Sequence, residues 1–435
     1  FSWRSSCAAD RAWNWMSCGA PLLDEGDDEA VQSRLETLAR QVRHVAALVE
    51  RDRDPVGVFR SAALSTTWEI CVSKGKSLDV ALERLETVCT AQFLPDGGHV
   101  SRSPVRTMKC LSDLIAIQEL LERTDRPIPD FLDKWIGRSG AMVGFFRAGD
   151  GGLFPFHGGG ESRSEEVDAL LDKLDTPPRK FSVVPKSGYQ KLAKADTQLC
   201  LDCGGGPERP YGDRSHASAL AFELVDGDAR IVTSCANSPE INLDWQAAVR
   251  QTSAHSTLIL ADQGSASFQR NEESGLLYPE GPEAISAKRL EEADEVWLDA
   301  QHSGYKQRFG LLHRRRLFMA GDGRRLTGED SLSRPVSAGQ SHDKSLIPFA
   351  IRFHLHPTVE AYTEGNFIIL KSDTGRVWRF RTTHAIARLE PTIYLGRGIV
   401  EQSQQIVLSG EAHRNGDGTK PPNCIRWVFL KDQLG

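Results

Sequence analysis

Apolar residues recur at helical spacing through the first ~175 residues and at alternate positions after that. In EAVQSRLETLARQVRHVAALVE, residues Val31, Leu35, Leu38, Val42 and Ala46 form one stripe at i, i+3, i+4, i+7 spacing. The same spacing predicts helices over VGVFRSAALSTTWEICVS, LDVALERLETVCTAQFL, TMKCLSDLIAIQELLER and PDFLDKWIGRSGAMVGFFR, the last opened by Pro129 and Asp130. Two Gly-rich links, DGGHVSRSP and RAGDGGLFPFHGGGES, interrupt the series. Links of that length inside a helical region are usually functional or disordered, and Phe154 and Phe156 argue against disorder in the second. The stretch ESRSEEVDALLDKLDTPPRK is charged and carries Pro177 and Pro178, as a linker or surface crossover does.

From Phe181 the period is two. SALAFELVDGDARIVTS reads as a hairpin turning at Asp226-Gly227. Strands follow through EVWLDAQHSGY, RRRLFMAGDGRRLTGED, FAIRFHLHPTVEAYTEGNFIILKS, VWRFRTTHAIARLE, QQIVLSG and CIRWVFL. Many antiparallel strands in series imply a sandwich, with no solenoid or propeller period. The expectation is a multidomain α+β chain, with a helical domain over residues 1–175 and a β domain over 176–435.

Bulk properties narrow the partners. The chain has 435 residues, more than one ordinary core. Hydrophobic residues make up 40% and charged residues 26%, and no apolar run would span a bilayer. A net charge of −6 gives no global attraction to nucleic acid or anionic lipid, so an anionic partner needs a local basic site. The chain opens on Phe rather than Met, with no signal segment in view, which leads us to expect a missing N-terminal part. Among nine cysteines, Cys200 and Cys203 form a CxxC, but no second CxxC or His pair stands at zinc spacing. Strand alternation puts the two on opposite faces, so buried thiols are the favoured reading over a redox or metal motif.

Several positions could carry chemistry. The loop LPDGGHVSRSP holds His99 and Arg102 on a stiff turn. His216 and His255 each open a strand among small residues, and Arg214 shares the pleat face of His216. The bland reading of either histidine alone is a hydrogen-bonded imidazole at a strand end. In RFHLHP, Arg352, His354 and His356 alternate with apolar residues, which suits a metal pair or, somewhat better, a solvated face. HRRR, from His313 to Arg316, reads as a basic surface patch. No GxSxG, HExxH or phosphate-binding loop is present.

Residues 203–268 resemble the β domain of the heparinase II/III-like proteins, a polysaccharide-lyase group. His216 with SALAFEL and the segment RQTSAHSTLILAD around His255 carry the resemblance. HSGYKQRFGLLHRRR, LTGEDSL, FAIRFHLHP, QFLPDGGHVSRSP and FFRAGDGGLFPFHG extend it over most of the chain, from APLLDEG onward. The resemblance implies a partial (α/α) toroid followed by a large antiparallel β-sandwich. It also implies a cleft for uronate-containing acidic polysaccharide and a periplasmic or cell-envelope location.

A lyase of this kind removes the proton α to a uronate carboxylate and expels the 4-linked sugar. It needs positive charge on the carboxylate, a base, and an acid for the leaving oxygen. The catalytic candidates are Arg214, at the place of a family histidine, with His99 and Tyr211 as substitutes for the expected acid and base; Arg102, Arg106 and His157 are the substrate-binding candidates. His216 and His255 match metal-site histidines, the candidate ligands for one divalent ion, zinc or calcium. The chain also departs from the pattern. Val105 and Arg106, not a tyrosine, follow Ser103-Pro104, and Arg214 stands where a histidine is expected. Thr233, Ser234 and Cys235 stand near the place of an aspartate ligand. Three readings follow: a lyase with a rearranged acid/base set, a noncatalytic acidic-glycan binder, and a metal-dependent hydrolase built on His216 and His255.

Overall fold

A computed structural model describes residues 5–19, 27–48, 55–72, 75–238, 240–272, 275–335, 343, 345–383 and 385–432. The stretch APLLDEG lies outside them. The stripe-bearing segments fold as helices: α1 (Ser5–Ser17), α2 (Asp28–Leu48), α3 (Pro55–Val72), α4 (Lys76–Gln92), α5 (Pro104–Arg123) and α6 (Asp130–Phe146). A short α7 (Ser164–Leu171) forms within the charged stretch read as a linker. The reading of the sequence lacked α1, whose buried positions are the small residues Ala8, Ala9 and Ala12. They let α1 approach Val42 and Val45 of α2 and Leu64 of α3 closely. The buried face of α2 is therefore centred on Val42 and Val45, while Leu35, at the other end of the expected stripe, is exposed.

The second half supplies strands β1 (Val183–Val184), β2 (Tyr189–Lys194), β3 (Thr197–Asp202), β4 (Phe222–Asp226), β5 (Ala229–Thr233) and β6 (Leu258–Leu260). Then come β7 (Ser267–Arg270), β8 (Leu277–Glu280), β9 (Ile285–Glu292), β10 (Glu295–His302), β11 (Leu312–Met319) and β12 (Arg325–Ser333). The series ends with β13 (Leu346–Leu355), β14 (Val359–Glu364), β15 (Phe367–Ser372), β16 (Val377–Thr383), β17 (Ile386–Tyr394), β18 (Glu401–His413) and β19 (Cys424–Lys431). Among the described residues, one sheet runs β1-β2-β3-β4-β5-β13-β18-β17, with β6 also on β13. An eight-stranded sheet runs β14-β15-β16-β19-β12-β11-β10-β9. The pairings are antiparallel, and Gly227 takes the left-handed turn expected between β4 and β5, at φ +60°.

One hydrophobic core draws on both sheets, with Phe222 and Phe353 from the first and Trp378 and Trp427 from the second. Phe353 and Trp427 meet edge to face at 4.9 Å. Inside this core Arg315 forks onto Asp330, which also accepts hydrogen bonds from Trp427 Nε1 (2.8 Å) and His313 Nε2 (2.7 Å). The HRRR run is thus half interior. His313 and Arg315 point into the core, while Arg314 and Arg316 stay exposed, because the pleat sends alternate residues to opposite faces. RFHLHP also departs from the solvated-face expectation, since His354 and His356 are both buried. His354 bonds Thr392 and Ser253, and His356 bonds Glu161 and Thr358.

Contacts divide the chain into two compact units. One is Phe1–Val100 with Arg106–Met142 and Leu170–Pro178; the other is Ser101–Val105 with Val143–Ala169 and Arg179–Gly435. The division interleaves, where a single cut after residue 175 was expected. The segments that change sides carry Arg102 and His157, whose polar atoms are bonded inside the β unit. Among the described residues no helix is long and apolar enough to cross a membrane.

Candidate functional site

In the helical unit the loop after α4 closes on itself. Leu94 N donates to Gly98 O, Gly97 N to Leu94 O, and Val100 N to Gln92 O. Gly97 sits at φ +92°, where an added Cβ would strike the Arg138 carbonyl, so the turn demands glycine. His99 is thereby folded inward. Its Nε2 lies 3.1 Å from Gln92 Oε1, and its backbone N–H donates to Thr107. Burial, and then the nearby Arg106 charge, lower its pKa to about 3. His99, offered by the sequence as a catalytic candidate on this loop, is thus a neutral interior imidazole held by Gln92. Arg106, in the first turn of α5, is half-buried beside it.

Arg102 belongs to the β unit and takes a left-handed backbone, φ +62°. Its guanidinium is spent on structure. Nε donates to Ser187 O (2.8 Å), Nη1 to Gly205 O (2.9 Å) and Nη2 to Gly188 O (3.3 Å). Nη2 also pairs with the Asp202 carboxylate, and the group stacks 4.7 Å over the Tyr189 ring. Tyr189 Oη donates back to Arg102 O. This corrects the expectation of a substrate-binding arginine, since no N–H edge is turned toward a ligand.

Asp202, at the end of β3, is the residue the sequence reading missed. It accepts hydrogen bonds from Ser218 Oγ (2.7 Å) and Gly204 N (3.1 Å) as well as Arg102. Burial alone would raise its pKa, but Arg102 and His157 hold it well below the ordinary carboxylate range. The available signal was a lone carboxylate closing the apolar strand TQLCLD before a glycine run.

Three of the expected histidines come together here. The ring centroids of His157 and His216 are 6.2 Å apart, and those of His216 and His255 are 5.0 Å apart. His157 takes φ +44°, accepts the His216 backbone N–H at Nδ1 (3.2 Å), and holds Nε2 3.3 Å from Asp202 without hydrogen-bond geometry. His216 Nε2 accepts the Gly158 N–H at 3.0 Å. That bond uses the lone pair of Nε2, so a neutral His216 carries its ring proton on Nδ1. Nδ1 has no hydrogen-bond partner among the described residues. His255 bonds the Val249 backbone, and its Nε2 is likewise buried without one. Burial lowers the pKa of all three, that of His255 to about 3.

This arrangement does not fit the expected divalent ion. Zinc takes at least three protein ligands, each with a free lone pair. His216 offers a protonated nitrogen, and the nearby Asp202 is saturated by Arg102 and Ser218. Glu223 takes Ser234 N and Oγ on one oxygen, both at 3.0 Å. Among the described residues no group of three or more His, Cys, Asp or Glu side chains is placed to hold a metal ion.

Tyr211 is half-buried, with its pKa raised by burial, which disfavours the phenolate a base would need. Arg214 keeps an exposed head, 4.0 Å from Asp213. Behind the His216 loop, Arg250 ties Ser215 O, Gly212 O and Leu277 O together. Cys200 is buried, Cys203 partly so, and both are free thiols with raised pKa values, as the strand alternation implied.

Comparison with known proteins fits this architecture. Residues 176–428 match the family described as Heparinase II/III-like, C-terminal. FtsZ-localized protein C of Caulobacter vibrioides is 33% identical over 444 residues, covering 99% of this chain and 75% of that protein. The crystal structure of heparinase III superposes with a TM-score of 0.71 at 14% identity, covering 99% of this chain and 69% of that one. Heparan sulfate lyase HepC from Pedobacter heparinus gives a TM-score of 0.68 at 11% identity, covering 100% and 69%. The fold is a partial (α/α) toroid followed by an antiparallel β-sandwich, and the chain belongs to the heparinase II/III-like family.

Proposed function

We propose that this chain is a noncatalytic member of its family that binds an acidic polysaccharide without cleaving it. One observation carries the reading: His99, the imidazole offered to move the proton, and Arg102, the cation offered to the carboxylate, are both buried and bonded within the protein. His99 is bonded to Gln92 with a pKa lowered to about 3, and His216 is bonded to Gly158. No tyrosine follows Pro104, and Tyr211 is pushed away from ionisation. Arg102, the cation best placed in the sequence to neutralise a uronate, is consumed by Asp202 and three carbonyls. β-Elimination needs a base, an acid and a charge clamp together, and losing them costs orders of magnitude in rate. The relatives titled heparinase III and heparan sulfate lyase support a glycan as the ligand class, and with it a periplasmic or cell-envelope location.

The test is absorbance near 232 nm, where unsaturated uronates absorb, beside affinity electrophoresis on the same acidic polysaccharides. Binding with no absorbance rise supports the reading. A rise lost in Tyr211→Phe restores the lyase.

A second reading is favoured by the 33% identity, across 99% of the chain, to a protein described as FtsZ-localized. In that reading the heparinase fold serves as a scaffold that localises with FtsZ. Co-pelleting of the full chain with polymerised FtsZ tests it, and a chain left in the supernatant counts against it.

A further inference from the structure

The outer face of the eight-stranded sheet, turned away from the shared core, carries two parallel side-chain rows. Strand register sets them. Leu290, Trp297, Phe318 and Thr327 follow one another across β9, β10, β11 and β12. Two residues along, Lys288, Asp299, Arg316, Glu329 and Arg426 follow one another across the same strands and β19. The first row is apolar up to Thr327 and the second alternates in charge. Between them lies a groove of about 500 Å³ lined by residues of both rows.

Trp297 is 47% exposed and Leu290 58% exposed, while Phe318 beneath is 7% exposed. The Trp297 and Phe318 centroids are 4.3 Å apart, so Phe318 buttresses the indole and fixes its plane. Arg325 in turn stacks over Phe318 at 5.1 Å. The groove face carries Lys288, Arg316 and Arg426 against Asp299 and Glu329, while Arg289 turns its side chain to the other face, onto Lys191 O and Glu291. Arg316 and Arg426 converge on the single carboxylate of Glu329, so their charge exceeds what it neutralises. Both arginine heads remain substantially exposed, with N–H donors left over.

We infer that this groove is a binding site for an acidic saccharide, with a sugar ring on Trp297 and its carboxylate or sulfate on Arg316 and Arg426. A fixed, half-exposed indole offers a flat apolar platform to the C–H face of a pyranose. Arginine forks match carboxylate and sulfate geometry. The volume falls within the range of small-ligand sites, roughly 300–1,000 Å³. The interleaved carboxylates separate this ligand from an acidic peptide or anionic bilayer. Asp299, forked by Arg314, and Glu329, held by Arg316 and Arg426, keep lone pairs that would accept hydrogen bonds from sugar hydroxyls, which a purely anionic surface lacks. The inference rests on the glycan-binding reading above and moves its ligand to a different face of the β unit from the histidine cluster.

The test uses the full chain in affinity electrophoresis through gels holding heparan sulfate or polygalacturonate, with Trp297→Ala, Trp297→Phe, Lys288→Glu and Arg214→Ala. Each altered side chain is surface-placed, and circular dichroism checks each fold. Trp297→Ala should weaken retardation about tenfold, the effect of losing one aromatic contact. Trp297→Phe should keep most of it, Lys288→Glu should weaken it at low salt only, and Arg214→Ala should bind as the parent does. Binding untouched in Trp297→Ala but lost in Arg214→Ala overturns this site and leaves the glycan reading standing. No binding by the parent chain overturns both. Competition by poly-glutamate that depends on Trp297 overturns the saccharide class.

Discussion

Arg102 offers the sharpest contrast between a ligand-binding residue and a structural one. Replacing it with Met keeps an unbranched apolar stem and removes the guanidinium. Asp202 would then be a fully buried carboxylate with no cation in contact, and Ser187 O and Gly205 O would lose the Arg102 donor, while Gly188 O would keep only the Cys203 N–H. Removing one partner of a buried pair costs about 3–5 kcal/mol. The β unit has roughly 290 residues, so its unfolding entropy is about 0.6 kcal/mol/K and the expected drop in Tm is about 5–8 °C. Differential scanning calorimetry reads this directly. Adding Asp202→Asn should recover part of the loss, because it removes the stranded charge. A Tm shift below about 1 °C, with glycan binding weakened, would refute the reasoning and make Arg102 a ligand.

Other consequences follow from the same interior. Asp330→Ala strands Arg315, which is wholly buried with its fork on that carboxylate, and should destabilise the β unit by about 3–5 kcal/mol in urea denaturation; a change under about 1 kcal/mol contradicts this. His99, His255 and His354 are buried with lowered pKa values, to about 3, about 3 and about 4. The unfolded chain takes up protons below about 6.5 that the fold refuses, so stability is full above that pH and falls as the pH drops, by about 2 kcal/mol per histidine at pH 5. Glu223 opposes this. Burial raises its pKa to about 7, so its penalty is relieved between pH 7 and pH 5, returning about 2 kcal/mol. The histidines outweigh Glu223 over that range, so stability falls toward pH 5, and Glu223→Gln should make the fall steeper. A stability that is flat or rising toward pH 5 would contradict the histidine assignment.

How far the sequence reached depends on the range of the interactions. Helices α2 to α6 and the strands β4, β5 and β10 to β19 were legible because their periods are local, and Asp226-Gly227 marked its own turn, whereas β7 to β9 were not read. Helix α1 was not legible, since alanines carry its buried face without an apolar stripe. The chemistry failed for a related reason. Arg102 and Asp202 are a hundred residues apart, and neither announces the other. Histidines in RFHLHP alternate as a wet strand would, yet Thr392, Ser253 and Glu161 arrive from distant segments to satisfy them. Family resemblance located the right loops. Whether a cation in them is available or already spent is set by partners that only the fold supplies.

The central claim is that the lyase chemistry is gone while the fold remains. The most direct measurement is the absorbance near 232 nm of the purified chain with heparan sulfate, chondroitin sulfate, hyaluronate and polygalacturonate, over pH 5 to 9. The account predicts a flat trace on each of them. A rise with any one of them, abolished by Tyr211→Phe or His99→Ala in a folded variant, would contradict it.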